Sequence, residues 1–195
     1  MGAVLSAAPA TGAGSFEERC SDMDFVDRFR LGMQRLASGV SVVTSCSPQG
    51  RRYGMTATAM FSLSLEPPCL VVGVNKKTRL GGMLHEARGF SVSILSEEHQ
   101  DVAEAFAGRI PGVAGADRFI YGKWREDASG LPILDDAPAV FVCEIANILE
   151  HSTHYLLIGS VSDVYVTDGE IDPLVYFSQE FTGVVNALPA PLPLT

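Results

Sequence analysis

The 195-residue sequence is short of basic side chains: 14 Lys and Arg against 23 Asp and Glu leave a net charge of −9 at pH 7. A chain whose task is to hold the phosphate backbone of nucleic acid needs a clustered basic face, and this balance does not supply one. Cysteine is scarce too. Cys20, Cys46, Cys69 and Cys143 stand far apart, with no C-x-x-C pair and no clustered histidines, so neither a zinc site nor a disulfide framework is indicated. They are expected to be reduced, cytosolic and mostly buried. No run approaches the roughly 18 apolar residues that cross a bilayer, and no repeat recurs. The opening MGAVLSAAPATGAGS has neither a basic region nor a continuous apolar stretch of signal-peptide length. Together these gaps predict a soluble, cytoplasmic protein with no nucleic-acid or membrane partner.

What is present is apolar. Hydrophobic residues make up 47% of the chain and charged residues 19%, which excludes global disorder and leaves a surplus suited to a buried cofactor or a subunit interface. The length predicts one domain, placed at 22–185, between an Ala/Gly/Ser tail at 1–21 and a proline-rich tail at 186–195. From Asp22 and Asp24 onward, Phe25, Phe29, Met33, Leu36 and Ala37 recur at three- and four-residue intervals and predict an amphipathic helix stopped by Gly39. Val40–Cys46 and Tyr53–Phe61 read as a hairpin around Ser47-Pro48-Gln49-Gly50. Further strands are expected at Cys69–Val74, Gly89–Leu95, Ala139–Glu150, Thr153–Val166 and Leu174–Phe177, and a helix over Glu98–Ala107 ending at Gly108. Arg109–Asp136, rich in Gly, Pro and charge, is expected to be an excursion with little regular structure. Hairpin-like succession favours a closed or partly closed antiparallel barrel. A dinucleotide-binding parallel sheet would need alternating helices and a Gly-rich phosphate turn, and neither occurs.

Two segments carry candidate chemistry. In Gly54-Met-Thr-Ala-Thr-Ala-Met-Phe-Ser62, small and hydroxyl residues dominate a strand. At a period of two, Thr56, Thr58 and Met60 share one face and Met55, Ala57, Ala59 and Phe61 the other. Small side chains let a flat ring lie against the backbone, whose N–H groups reach ring heteroatoms; threonine as an ordinary strand former is the plainer alternative. Asn75-Lys76-Lys77-Thr78-Arg79 directly follows a strand and opens a short helix, a setting that suits a phosphate, or simply a solvated turn. Against a charge of −9 this cluster stands out. The carboxylates show no catalytic pairing, and His154 is a lone histidine beside a tight turn.

The runs FRLGMQRLASGVSVVTS, GMTATAMFSLSLEPPCLVVGVNKKT, FSVSILSEEHQDVAEAFAG, STHYLLIGSV and PLVYF, in that order over roughly residues 24–181, closely resemble the short-chain flavin reductases, the reductase components of two-component flavin-dependent monooxygenases. The resemblance implies a mainly β fold, the FMN-binding split barrel: a six-stranded antiparallel Greek-key barrel with flanking helices, forming a homodimer. It implies transfer of hydride from NADH or NADPH to FAD or FMN and delivery of the reduced flavin to a partner monooxygenase. A non-catalytic protein holding a prosthetic FMN as carrier or sensor is the alternative. By motif matching, Met55, Thr56, Ala57, Thr58, Ala59, Ser62 and Leu63 border the flavin ring and ribityl chain. Asn75, Lys76, Lys77 and Thr78 hold its phosphate, and Phe106, Ala107 and Gly108 lie near the distal part of the cofactor. Tyr176 belongs to the same set. His154, expected to orient the nicotinamide, matches the histidine of a Gly-Asp-His motif in which Ser152 and Thr153 stand here for Gly-Asp. Phe177 and Gln179 likewise replace the histidine and glycine common in the family's ending.

Overall fold

Strands buried on both faces read as unbroken apolar and small-residue runs, and two such runs form the centre of the fold. In the computed structural model, which describes residues 23–184, β2 (Ser41–Cys46) and β6 (Gly89–Ile94) are each buried at five of their six positions. They lie inside a seven-stranded antiparallel sheet ordered β3-β2-β6-β9-β10-β5-β4, where β3 is Arg52–Ala57, β4 Met60–Leu65, β5 Pro68–Asn75, β9 Ala139–His151 and β10 His154–Val166. The long strands β9 and β10 bend at two register shifts, between Ile158 and Gly159 and between Val161 and Asp163.

The expected strand Tyr53–Phe61 is two strands. The chain breaks at Thr58-Ala59, and its halves stand at opposite edges of the sheet: β3 pairs with β2, and β4 with β5. The Gly73 amide donates to the Ala59 carbonyl at 2.8 Å, tying the break back to β5. One continuous segment thus joins both edges, which closes the barrel. Counting β3 and β4 as a single bent strand gives the six strands expected of the split barrel.

Successive residues of each central strand serve different cores. Val43, Val72, Val74, Phe90, Val92 and Leu157 pack together in one cluster. Val42, Val140 and Val142 face the other, against Val102, Ala103 and Phe106 of helix α3 (Gln100–Ala107). That helix ends as the sequence predicts. Gly108 takes φ +74°, and its amide and that of Arg109 return to Ala105 and Glu104, a left-handed cap that only glycine adopts without strain. Cys143 lies buried in the first cluster, and burial pushes its thiol up to about 12, so it stays protonated at neutral pH. Cys46, Cys69 and Cys143 are free thiols; Cys20 lies outside the described residues.

Three expectations need correction. The excursion 109–136 is structured: a short 3₁₀ helix covers Gly115–Ile120, and strands β7 (Trp124–Glu126) and β8 (Pro132–Leu134) pair as a hairpin. Its turn is held by Asp127, whose carboxylate accepts the amides of Ser129 and Leu131. The elements are too short for their period to show, and their apolar residues (Phe119, Trp124, Ile133, Leu134) become legible only when packed against Phe106. Second, β11 (Val175–Phe177) continues into a hairpin with β12 (Glu180–Thr182) through Ser178 and Gln179, both at positive φ. Ser-Gln lacks the Asn-Gly signature of such turns, so the hairpin is silent in the sequence. Third, helix α1 (Phe25–Met33) stops at Gln34, well before Gly39, and Gly39 instead pairs with Val175 in the short strand β1 (Ser38–Gly39).

The chain divides into two units at Leu36 and Ala37. In the first, Asp24 caps α1 by accepting the Asp27 amide at 2.9 Å, and Phe25, Phe29 and Met33 are exposed. The second contains all the sheets. The expected tails, 1–21 and 186–195, lie outside the described residues. Among the described residues no helix is long and apolar enough to cross a membrane.

Candidate functional site

Threonine and alanine at the break between β3 and β4 have a structural consequence: Thr58 and Ala59 fall outside any ladder pairing and are exposed. A cavity of about 290 Å³ opens beside them, lined by Ser38, Gly39, Ser41, Thr58, Met60 and Ile94. Small side chains at its rim leave backbone within reach of a flat ligand. A larger cavity, about 860 Å³, is lined by Cys46, Arg88, Glu126 and Glu144 among others and contains none of the residues expected from the sequence.

The basic turn after β5 is built from its own polar groups. The Lys77 amide donates to Asn75 Oδ1 at 2.9 Å. Thr78 Oγ1 donates to the Asn75 carbonyl at 2.7 Å and accepts the Gly81 amide at 2.9 Å, capping the five-residue helix α2 (Arg79–Met83). Gly81 makes this closure possible. A Cβ there would overlap the Asn75 carbonyl oxygen and sit 3.0 Å from Lys76 Cα. The turn is seated on β3 by Thr78 Oγ1, 3.8 Å from Met55 Sδ.

The two lysines differ in commitment. Lys76 Nζ is bound to the Glu150 carboxylate and donates to the Ser152 carbonyl at 2.5 Å, while its amide donates to Thr153. The hydrogen bond from Lys76 holds the Glu150 carboxyl below its ordinary range. Lys77 is exposed and, like Arg79, takes part in no salt bridge among the described residues.

β3 is joined to α3 by Thr56 Oγ1, which donates to the Ala103 carbonyl at 2.7 Å, and by Gly54, where a Cβ would lie 2.5 Å from the Phe106 ring. Phe106 itself is 1% exposed, so within the expected FAG motif it is Ala107 and Gly108 that face outward. Tyr176 is half-buried on β11 opposite Ser38, and its hydroxyl accepts from Arg109 Nη2 at 3.1 Å. His154 is exposed at the start of β10, directly across from Asn75 in the ladder, with Nδ1 2.8 Å from Thr153 Oγ1. Ser152 takes φ +48° in the preceding turn, the backbone region that the family's glycine suits.

The fold therefore gathers most of the expected residues along one path: the cavity at Thr58, Met55 and Thr56 on β3, the turn Asn75–Thr78 with His154 beside it, and the end of α3. Ser62 and Leu63 lie further along β4, exposed, with a register shift between Ser62 and Ser64. Two arginines also lie on the path. Arg79 adjoins the basic turn, and Arg118, from within the 109–136 segment, donates through Nη1 to the Phe106 carbonyl at 3.0 Å and the Gly54 carbonyl at 3.4 Å. Nothing in the pattern around Arg118 marks it, because its partners are distant in the chain.

A flavin fits these residues. The exposed small-residue break beside a cavity offers a place for a flat ring, and the uncompensated charge of Lys77 in the turn Asn75–Thr78 offers a place for its phosphate.

Comparison with known proteins gives the same picture. The family model described as "Flavin reductase like domain" matches residues 33–184. The 4-hydroxyphenylacetate 3-monooxygenase reductase component of Pseudomonas aeruginosa is 38% identical over 153 residues, 78% of this chain and 88% of that protein. The NADH:riboflavin 5'-phosphate oxidoreductase of Streptomyces pristinaespiralis is 34% identical over 163 residues, 83% of this chain and 90% of its own length. Among solved structures, the Streptomyces globisporus NADH:FAD oxidoreductase in complex with NAD and FAD fragments superposes with a TM-score of 0.75 at 25% identity, covering 85% of this chain and 98% of that one.

Proposed function

The chain belongs to the flavin reductase-like domain family, and from that membership we propose how its own residues serve an NADH-dependent reductase of FAD or FMN that supplies reduced flavin to a partner monooxygenase. The observation that carries the proposal is the single path from the exposed break at Thr58-Ala59 to the turn Asn75–Thr78, held at one spacing by the Thr78–Met55 contact. That path matches a molecule with a flat ring at one end and a phosphate at the other.

When bound, the flavin supplies the chemistry by accepting hydride from the nicotinamide, so the protein needs no nucleophile. Its work is to place two rings in near-attack contact, about 3–3.5 Å apart, and to keep them there. Thr58 and Ala59, freed from the ladder, present the backbone to the ring edge. Met55, Thr56 and Ala57 form the floor, and Ser62 and Leu63 extend it along β4. Lys77 holds the phosphate through its free ammonium group, with Lys76 shared between that duty and Glu150. Ala107 and Gly108 border the distal part of the cofactor.

His154 orients the nicotinamide from its place opposite Asn75. His154→Ala is expected to lower the rate of flavin reduction about tenfold while changing flavin affinity less than about twofold, because an orienting group acts on geometry, not on retention. Stopped-flow reduction at saturating flavin checks this; an unchanged rate removes His154 from the site. The activity itself is tested by mixing the purified protein, FAD or FMN, and NADH in air. Nicotinamide absorbance is expected to fall only when both flavin and protein are present, and no such fall would overturn the reading.

The homodimer belongs to the same proposal. Phe61 on β4 is 55% exposed, and Leu149 and Leu156, paired across β9 and β10, are 46% and 42% exposed, all on one face of the sheet by register. Apolar area of this kind is normally covered, and a second copy of the chain is the occupant proposed here. Sedimentation as a 20.8 kDa species alone would count against it. A cytoplasmic site of action is part of the same reading, supported by the free thiols of Cys46, Cys69 and Cys143.

A further inference from the structure

Beyond the turn that takes the first phosphate, a second cationic group is assembled from distant parts of the chain. Arg79 begins α2, and Arg118 comes from the 3₁₀ helix in the 109–136 segment. Neither takes part in a salt bridge among the described residues. In a chain of net charge −9, two guanidinium groups without salt bridges are brought to one short helix: Arg79 Nη1 lies against Gly115, the first residue of the helix Gly115–Ile120 that carries Arg118. Arg118 is held below the usual arginine range first by its burial and then by the charge of Arg79.

The frame around them is specific. Arg118 Nη1 is fixed by the Phe106 and Gly54 carbonyls, and its Nε is buried without a hydrogen-bond partner. Two glycines make the space. A Cβ on Gly108 would lie 3.1 Å from Arg118 Nη2, and one on Gly115 would overlap Arg79 Nη1. Both glycines have positive φ, +74° and +60°. A buried unpaired N–H costs stability, and so do like charges brought close together. An anion between the guanidinium groups would offset the repulsion directly.

We infer that Arg79 and Arg118 form a subsite for a second phosphate, adjacent to the one held by Asn75–Thr78, so that the flavin this protein is built for is the pyrophosphate-containing dinucleotide, FAD, over FMN. The inference rests on the reductase reading above, which places the first phosphate at the turn. Arg79 directly follows that turn, and Arg118 lies over Gly108, on the side assigned to the distal part of the cofactor. The spacing therefore continues outward from the first phosphate. The nicotinamide cofactor carries the same chemistry, in the pyrophosphate of NADH and NADPH and in the additional phosphate of NADPH.

The test is a set of flavin-fluorescence titrations on the full chain and on Arg79→Gln and Arg118→Gln, with FAD, FMN and riboflavin as probes. Arg79→Gln is expected to weaken FAD about tenfold, FMN less than about twofold and riboflavin not at all, the size of one charge-assisted contact at a partly exposed site. Arg118→Gln should act in the same direction. Since Arg118 also braces two carbonyls, thermal unfolding shows whether that variant folds, and the exposed Arg79 carries the test if it does not. Equal losses for FAD and FMN, or no loss for either, overturn the inference. So does a rise in KM for NADH or NADPH with FAD binding unchanged, which would assign the pair to the nicotinamide cofactor. Failure of the unsubstituted protein to bind any flavin or to oxidise NADH would overturn the reductase reading and the subsite with it, and is therefore distinguishable from failure of the subsite alone.

Discussion

Phe106→Ala is expected to destabilise the protein by about 3–5 kcal/mol, the usual cost of removing a fully buried phenylalanine and leaving a cavity. At about 2–4 °C per kcal/mol for a domain of this size, the midpoint of thermal unfolding should fall by about 10 °C or more. The reason is local. The ring is 1% exposed and meets Phe119 edge-on with centroids 5.0 Å apart, and Trp124 at 5.2 Å. Gly54 has no side chain because the same ring occupies that space. One residue thus joins α3, β3 and the 109–136 segment, and its backbone carbonyl also anchors Arg118. Phe106→Leu, which keeps most of the volume, should recover much of the loss. Urea or thermal unfolding of both variants checks the prediction, and a change under about 1 kcal/mol for Phe106→Ala would show that the aromatic cluster contributes little.

The second large effect is on binding. Gly81→Ala inserts a methyl group where the Asn75 carbonyl oxygen already stands, with Lys76 Cα at 3.0 Å and Thr78 Oγ1 at 3.1 Å. The neighbours are mostly backbone, so relief requires the turn itself to move. Overpacking of this kind costs about 1–3 kcal/mol, and the displacement would open the Thr78 cap and misdirect the groups proposed to hold the phosphate. FMN and FAD affinity should both fall by about 10–100-fold, corresponding to one or two charge-assisted hydrogen bonds. Riboflavin, which has no phosphate, should bind as before. Fluorescence titration with the three flavins distinguishes this from general unfolding, which would abolish all three. Phosphate-independent losses would move the phosphate away from Asn75–Thr78.

These two glycines and one phenylalanine show where sequence reading reaches its limit. The segment Gly54–Ser62 was recognisable as unusual from its small and hydroxyl residues, yet nothing in a period of two reveals that it breaks at Thr58-Ala59. The break follows from closure: one segment has to join both edges of a sheet whose other strands are fixed by their own pairings. The FAG motif likewise marked the end of α3 correctly through Gly108. It did not reveal that Phe106 points into the core while its neighbours face outward. Arg118 and the β7–β8 hairpin were invisible for a further reason: three-residue elements carry no measurable period, and their contacts are made with residues tens of positions away.

By itself the sequence determined the family, the mainly β architecture, the strands β2, β5, β6, β9 and β10, the glycine cap of α3 and the two segments proposed to carry the flavin. Each of these depends on interactions within a few residues, or on motif order that survives along the chain. The tertiary structure alone decided the rest: the split of one expected strand between two sheet edges, the early end of α1, the commitment of Lys76 to Glu150, and the approach of Arg79 to Gly115 in the helix that carries Arg118. Those outcomes depend on long-range packing and on which charges are left without partners, and neither is written in local sequence pattern.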